Sequence, residues 1–216
     1  MTILITGANR GIGQALAELY QDRGETVIGT HRAPDAGHLR ELDVTDPSSH
    51  AALAERLGDT SLELLVCNAG VNLDQGQALD DGYPPAMWED CFAANVTGVF
   101  LTIQSFLPHL RRSDAPKIAI IGSQLGSQTI ASGGGYIYCA SKAAVLNLGR
   151  NLAVDLAPEG FAVGVYHPGW VRTDMGGDRA DISMQESAQG LAARFTALNP
   201  ETTGCFETWD GQAHAY

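Results

Sequence analysis

Short runs of β-branched and aliphatic residues alternate along this chain with stretches whose apolar positions recur every three or four residues. The runs TILIT (2–6), ETVIGT (25–30), HLREL (38–42), LELLVC (62–67), KIAII (117–121) and FAVGVYH (161–167) read as strands. Several are apolar at nearly every position, as strands buried on both faces are. Ile12, Leu16, Leu19 and Tyr20 share one helical face, and Gly24 is placed to end that helix. Trp88, Phe92, Val96, Val99, Ile103, Phe106 and Leu110 mark a second helix over 84–110, opened by a proline pair. Val145, Leu148, Leu152 and Leu156 mark a third over 138–157, stopped by Pro158 and Gly160. Such alternation predicts an α/β fold, a parallel sheet with helices on both faces. With no linker, repeat or low-complexity tract, residues 1–216 read as one domain.

One connection is unusually short. Only HRAPDAG (31–37) separates the second and third strands, where a parallel crossover ordinarily needs a dozen or so residues. Either the helix there is reduced to a turn, which would leave that edge of the sheet relatively open, or the strand ends lie a few residues away.

The first strand runs into TGANRGIG (Thr6 to Gly13), which opens the first helix. Gly7, Gly11 and Gly13 suit a tight turn, close backbone approach to a pyrophosphate and close helix–strand packing. Glycines also mark ordinary turns; their place between a first strand and a first helix makes this a dinucleotide-loop candidate. Further on, YIYCASK puts Tyr138 and Lys142 four apart, so both can face one cleft from a single helix turn. A free phenol titrates near 10, about three units above neutrality. An ammonium about 4 Å away is worth up to about 4 kcal/mol, enough to lower the phenol by about three units.

The glycine spacing resembles the T-G-x-x-x-G-x-G loop of the short-chain dehydrogenase/reductase family, and further matches follow in chain order. LDV resembles its adenine-contacting segment, carried by Asp43 and Val44. NAG (Asn68, Ala69, Gly70) ends the fourth strand where the family has the same tripeptide. Asn95, Ser123, Tyr138 and Lys142 match its catalytic tetrad. PGWVRT, with Pro168, Gly169, Val171 and Thr173, resembles its nicotinamide-side loop. The Ser123–Tyr138 spacing is longer than the family's common one. The shorter spacing would select Tyr136, but Ala140, not lysine, lies four residues beyond it. The glycine-rich stretch responsible, and HPGWVRTDMGG, resemble the C-factor-like, sniffer-type carbonyl reductase branch.

That resemblance implies a Rossmann-like doubly wound sheet of order 3-2-1-4-5-6-7, with a last strand from CFETWD. It implies hydride transfer between a nicotinamide and a carbonyl or alcohol. Tyr138 would be the acid, Ser123 would steady the oxygen, Lys142 would hold the ribose and Asn95 would position a water. Asn9 and Ile12 of the glycine loop would line the cofactor. Singly, each tetrad residue reads as ordinary packing or surface; together on a dinucleotide scaffold they read as a constellation. Leu125, Tyr136, Trp170 and Met175 are candidates for the substrate pocket, with core packing as the other reading. The resemblance leaves monomer, homodimer and homotetramer open, and its C-factor side adds a signalling role as the rival to catalysis.

Charge and cysteines then narrow the partners. The second strand ends GTHR, supplying His31 and Arg32 where an NAD site wants a carboxylate, and Arg10 adds a second guanidinium. Two arginines suit a 2′-phosphate, pointing to NADP(H) over NAD(H). A net charge of −12 argues against nucleic acid and anionic membrane. No signal-peptide pattern follows Met1, and no stretch approaches the about 18 apolar residues that cross a bilayer. Cys67, Cys91, Cys139 and Cys205 lack metal-ligand spacing and read as reduced thiols, Cys139 as a small buried one. A cytoplasmic protein without a metal is expected.

Overall fold

Leu4 packs into one hydrophobic cluster and its neighbours Ile3 and Ile5 into another, and all three are fully buried. The same alternation runs through the central strands, because each has helices on both faces. The structure, a computed structural model, describes residues 1–33 and 39–216. Its strands are β1 (Thr2–Ile5), β2 (Thr26–His31), β3 (Arg40–Glu41), β4 (Leu64–Cys67), β5 (Lys117–Ile121), β6 (Ala162–His167) and β7 (Cys205–Thr208). They form one parallel sheet in the order β3-β2-β1-β4-β5-β6-β7, as anticipated. The order reverses between β1 and β4, which opens a crevice beyond their carboxyl ends.

The helices are α1 (Gly11–Asp22), α2 (Pro47–Leu57), α3 (Pro85–Phe92), α4 (Gly98–Leu110), α5 (Tyr136–Leu156) and α6 (Met184–Ala197). Helices α1 and α6 cover one face through Leu16, Tyr20, Leu191 and Phe195. Helices α2, α4 and α5 cover the other through Leu53, Phe106 and Val145.

Periodicity alone did not reveal α2 or α6. Helix α2 buries only His50 and Leu53, and α6 leans partly on Ala188 and Ala192, so both give a thin apolar signal. The caps carry it instead: Asp46 accepts from the Ser48 amide with Pro47 at the first position, and Ser183 with Glu186 forms a capping box. The expected helix over 84–110 is three pieces, α3 and α4 joined by a π-helical segment, Ala93–Thr97. Pro85–Leu110 is long and apolar enough to cross a membrane by length and composition, contrary to the reading above. Its Val99, Ile103, Phe106 and Leu110 are spent on the core. The strand expected over 38–42 is only Arg40–Glu41, with His38 outside the described residues. Residues 32–39 alone separate β2 from β3, so the connection is as short as the sequence implied. The third helix starts at Tyr136 rather than Tyr138.

Candidate active site

Loops leaving the carboxyl ends of β1, β2, β4, β5 and β6 border a cleft of about 830 Å³. Gly7, Asn9, Arg10, Gly11 and Ile12 line it from the glycine loop; His31, Arg32, Asp43 and Val44 line it beyond β2 and β3. Asn68, Ala69 and Gly70 contribute from the end of β4, Tyr138 and Lys142 from α5, and Pro168, Thr173 and Met175 from the loop after β6. Most of the anticipated cofactor residues thus share one wall.

Gly13 is not on that wall. A Cβ there would sit 2.3 Å from the Gly7 carbonyl oxygen and 2.5 Å from Asn68 Nδ2, so this glycine serves helix–strand contact. Asn68 likewise acts on the protein itself: its Nδ2 donates to the carbonyls of Thr6 (2.9 Å) and Gly7 (3.1 Å), fastening the glycine loop to β4. Asp43 accepts from the amide and hydroxyl of Thr45 (2.9 and 2.7 Å), fixing the turn after β3.

Tyr138 lies in the first turn of α5, and Lys142 follows one turn on. Lys142 is 7% exposed; its Nζ donates to the Ile121 carbonyl at 2.9 Å and lies 5.7 Å from the centre of the Tyr138 ring. Burial pushes the ammonium down to about 8. Burial also pushes the Tyr138 phenol up to about 12, with the Ser123 hydroxyl pulling the other way. The expected lowering of the phenol by the ammonium is therefore overturned. Both groups are held in a poorly solvated wall, and desolvation is the largest influence on each.

Ser123 caps a 3-10 turn, Gln124–Gly126, by accepting from the Leu125 amide at 3.2 Å. That turn lies flat against α5: a Cβ on Gly126 would stand 2.6 Å from the Lys142 carbonyl. Ser123 itself is 6% exposed and, unlike Tyr138, does not line the cleft.

Asn95 sits in the π segment, is 1% exposed and does not line the cleft. Its side chain accepts from the Val71 amide and donates to the Val71 carbonyl, both at 2.8 Å, and donates to Ser141 Oγ at 3.0 Å. It clamps the loop after β4.

The substrate-side candidates divide. Met175 faces the cleft. Tyr136 is 41% exposed and packs edge-on against Tyr83; Trp170 is half exposed and donates to the Gly176 carbonyl at 2.9 Å, closing its own loop. Leu125 is half-buried, and neither it, Tyr136, Trp170, Gly169 nor Val171 lines the cleft. Cys139 is half-buried rather than buried. Sequence reasoning missed Asp174, which pairs with Arg10 across the cleft mouth. The two are 164 residues apart, so no local pattern announces the pair. Arg172 donates to the carbonyls of Ala180 and Asp181, at 2.9 and 3.0 Å.

The short chain dehydrogenase family model matches residues 1–182. The C-signal protein of Myxococcus xanthus is 35% identical over 161 residues, covering 74% of this chain and 96% of that protein. Among solved structures, the carbonyl reductase Sniffer of D. melanogaster superposes with a TM-score of 0.91 at 26% identity, covering 100% and 99% of the two chains. An NADPH-bound carbonyl reductase from chicken fatty liver gives 0.89 at 28%, covering 100% and 98%.

Proposed function

Because the chain belongs to the short-chain dehydrogenase/reductase family, an oxidoreductase family, and sits with its sniffer-type and C-factor-like branch, we propose that it is an NADP(H)-dependent carbonyl reductase. The observation that carries the reading is the placing of Tyr138 and Lys142, one helix turn apart, in the cleft headed by the glycine loop. The cleft wall fits a dinucleotide. The loop that Asn68 fastens would take the pyrophosphate, and Arg10, His31 and Arg32 would meet a 2′-phosphate at the other end. The NADPH-bound avian reductase supports the same cofactor.

A bound nicotinamide supplies the hydride. The chain supplies the proton and its control. With its pKa held near 12, Tyr138 keeps its proton at neutral pH and can give it to a carbonyl oxygen. Ser123, beside it, would hydrogen-bond that oxygen. Lys142, still charged below about 8, would offset the phenolate that donation leaves. Asn95 would hold the loop and Ser141 and position a water for proton resupply. Exposed Trp88, Phe100 and Val154 on α3, α4 and α5 support a homodimer or homotetramer built through those helices.

Titrating the protein with NADPH and NADH, then following NADPH loss over a panel of small aldehydes, ketones and quinones, tests the reading. It predicts NADPH tighter by about tenfold or more, a difference of about 1.4 kcal/mol, with turnover of at least one carbonyl. A second reading, a cofactor-binding signal protein, is favoured by the likeness to C-signal. Binding without turnover, and a cellular phenotype untouched by Tyr138→Phe, would select it.

A further inference from the structure

The first turn of α5 carries Tyr138, yet it has no cap of its own. The residue before it, Gly135, is left-handed (φ 56°) and offers no side chain, and it follows Gly133 and Gly134, which are also left-handed. Four amides at a helix start need partners, and a flexible glycine run cannot supply them. The partner comes instead from 63 residues away. Asp74, in the loop after β4, is fully buried, and its Oδ2 accepts from the Ile137 amide at 2.7 Å. The Tyr138 amide donates to the same carboxylate at 3.3 and 3.4 Å.

The other end of the Tyr138 peptide unit is held as well. Ser141 Oγ donates to the Tyr138 carbonyl at 2.8 Å and itself accepts from Asn95. Asn95 in turn fixes Val71, three residues before Asp74. Tyr138 is thus gripped at both its main-chain polar groups, and both grips trace back to the short segment 71–74.

We infer that Asp74 is a positioning residue for the proposed reduction, replacing the absent helix cap and fixing where the Tyr138 phenol stands in the cleft. This rests on the reading of Tyr138 as the proton donor. A carboxylate at a helix start is favoured by the helix dipole and forms charge-assisted bonds to amides. A buried one can hold a catalytic turn that glycine would otherwise leave loose. Asp74 touches no reacting atom in this account; it acts through the backbone of Tyr138.

The test compares wild type, Asp74→Asn and Asp74→Ala in NADPH-dependent reduction of para-nitrobenzaldehyde, in NADPH affinity, and in amide hydrogen exchange along α5. Misplacing a catalytic group by about 1 Å can cost about a hundredfold, so Asp74→Ala should lose about ten- to a hundredfold in kcat. NADPH affinity should stay within about twofold. Asp74→Asn keeps one acceptor oxygen but loses the charge that strengthens both amide bonds, so its kcat should fall by about two- to fivefold, less than in Asp74→Ala. Exchange should quicken at Ile137 and Tyr138 only. Wild-type kcat in Asp74→Ala overturns the inference. So does a kcat loss matched by equal loss of NADPH binding and faster exchange throughout α5, since that is general loosening. If Asp74→Ala does not fold, Asp74→Asn decides: lower kcat with faster exchange confined to the first turn supports the role, and wild-type values for both refute it. A wild type inert toward this aldehyde and every other carbonyl of the panel removes the carbonyl reductase reading, and the exchange arm then judges the cap by itself.

Discussion

Replacing Lys142 with methionine should abolish turnover and yet make the protein more stable at neutral pH. The ammonium is 7% exposed and its pKa falls from 10.5 to about 8 through burial. A shift of that size, about 2.5 units, corresponds to a penalty of about 3 kcal/mol on the charged form. Below about pH 8 the folded protein carries nearly all of it, because the lysine stays charged. Methionine removes the penalty and keeps a similar volume, but it leaves the Ile121 carbonyl without its donor. That bond is buried, so leaving the carbonyl unpaired costs about 1–3 kcal/mol. The net expectation is a gain of up to about 2 kcal/mol near pH 7. The sign of the pH dependence follows from proton counts. Between about 8 and 10.5 the unfolded lysine holds more proton than the folded one, so wild-type stability rises with pH there. The advantage of Lys142→Met should therefore shrink across that window and be gone above it. Tyr138, raised to about 12, pulls the other way above pH 10, equally in both proteins, and cancels in the difference. Equilibrium urea unfolding of the two proteins at several pH values measures this. A variant that is less stable at pH 7, by an amount independent of pH, would refute the argument that burial penalises Lys142.

Other expectations follow from single contacts. Arg32→Ala should weaken NADPH by about ten- to a hundredfold and leave NADH alone, as loss of a charge-assisted phosphate bond would. Asp174→Asn releases Arg10 from its exposed ion pair and should tighten NADPH by up to about fivefold, read by titration. Gly126→Ala forces a methyl to 2.6 Å from the Lys142 carbonyl; it should cost about 1–3 kcal/mol in urea unfolding and lower kcat by moving Ser123 from Tyr138. The carbonyl-reduction rate should fall as pH rises through about 8, because Lys142 then loses the charge that offsets the phenolate.

The strands and the glycine loop were legible because their signals are local: runs of buried aliphatics, and glycines at a strand–helix junction. Four-residue spacing likewise put Tyr138 and Lys142 on one helix face. Helices α2 and α6 hid because α2 buries only His50 and Leu53 and α6 buries several small residues, although Asp46-Pro47 and Ser183 with Glu186 announced their starts. Periodicity could not show the π segment at Asn95, since one wider turn barely disturbs an apolar stripe. The titration of Tyr138 was misjudged for a different reason. Spacing reveals the neighbouring charge, but desolvation depends on everything packed around both groups, which only the fold determines. Long-range partners were out of reach altogether: Asp74 for the helix start, Asp174 for Arg10.

The most direct test of the account is isotopic. NADPH deuterated at nicotinamide C4 on the transferred face would be incubated with the wild-type protein and para-nitrobenzaldehyde, and the alcohol weighed by mass spectrometry. The account predicts deuterium on the carbinol carbon, and none formed by Tyr138→Phe although that variant still binds NADPH. Binding of NADPH with no labelled alcohol from any carbonyl tried, or full transfer by Tyr138→Phe, would contradict it.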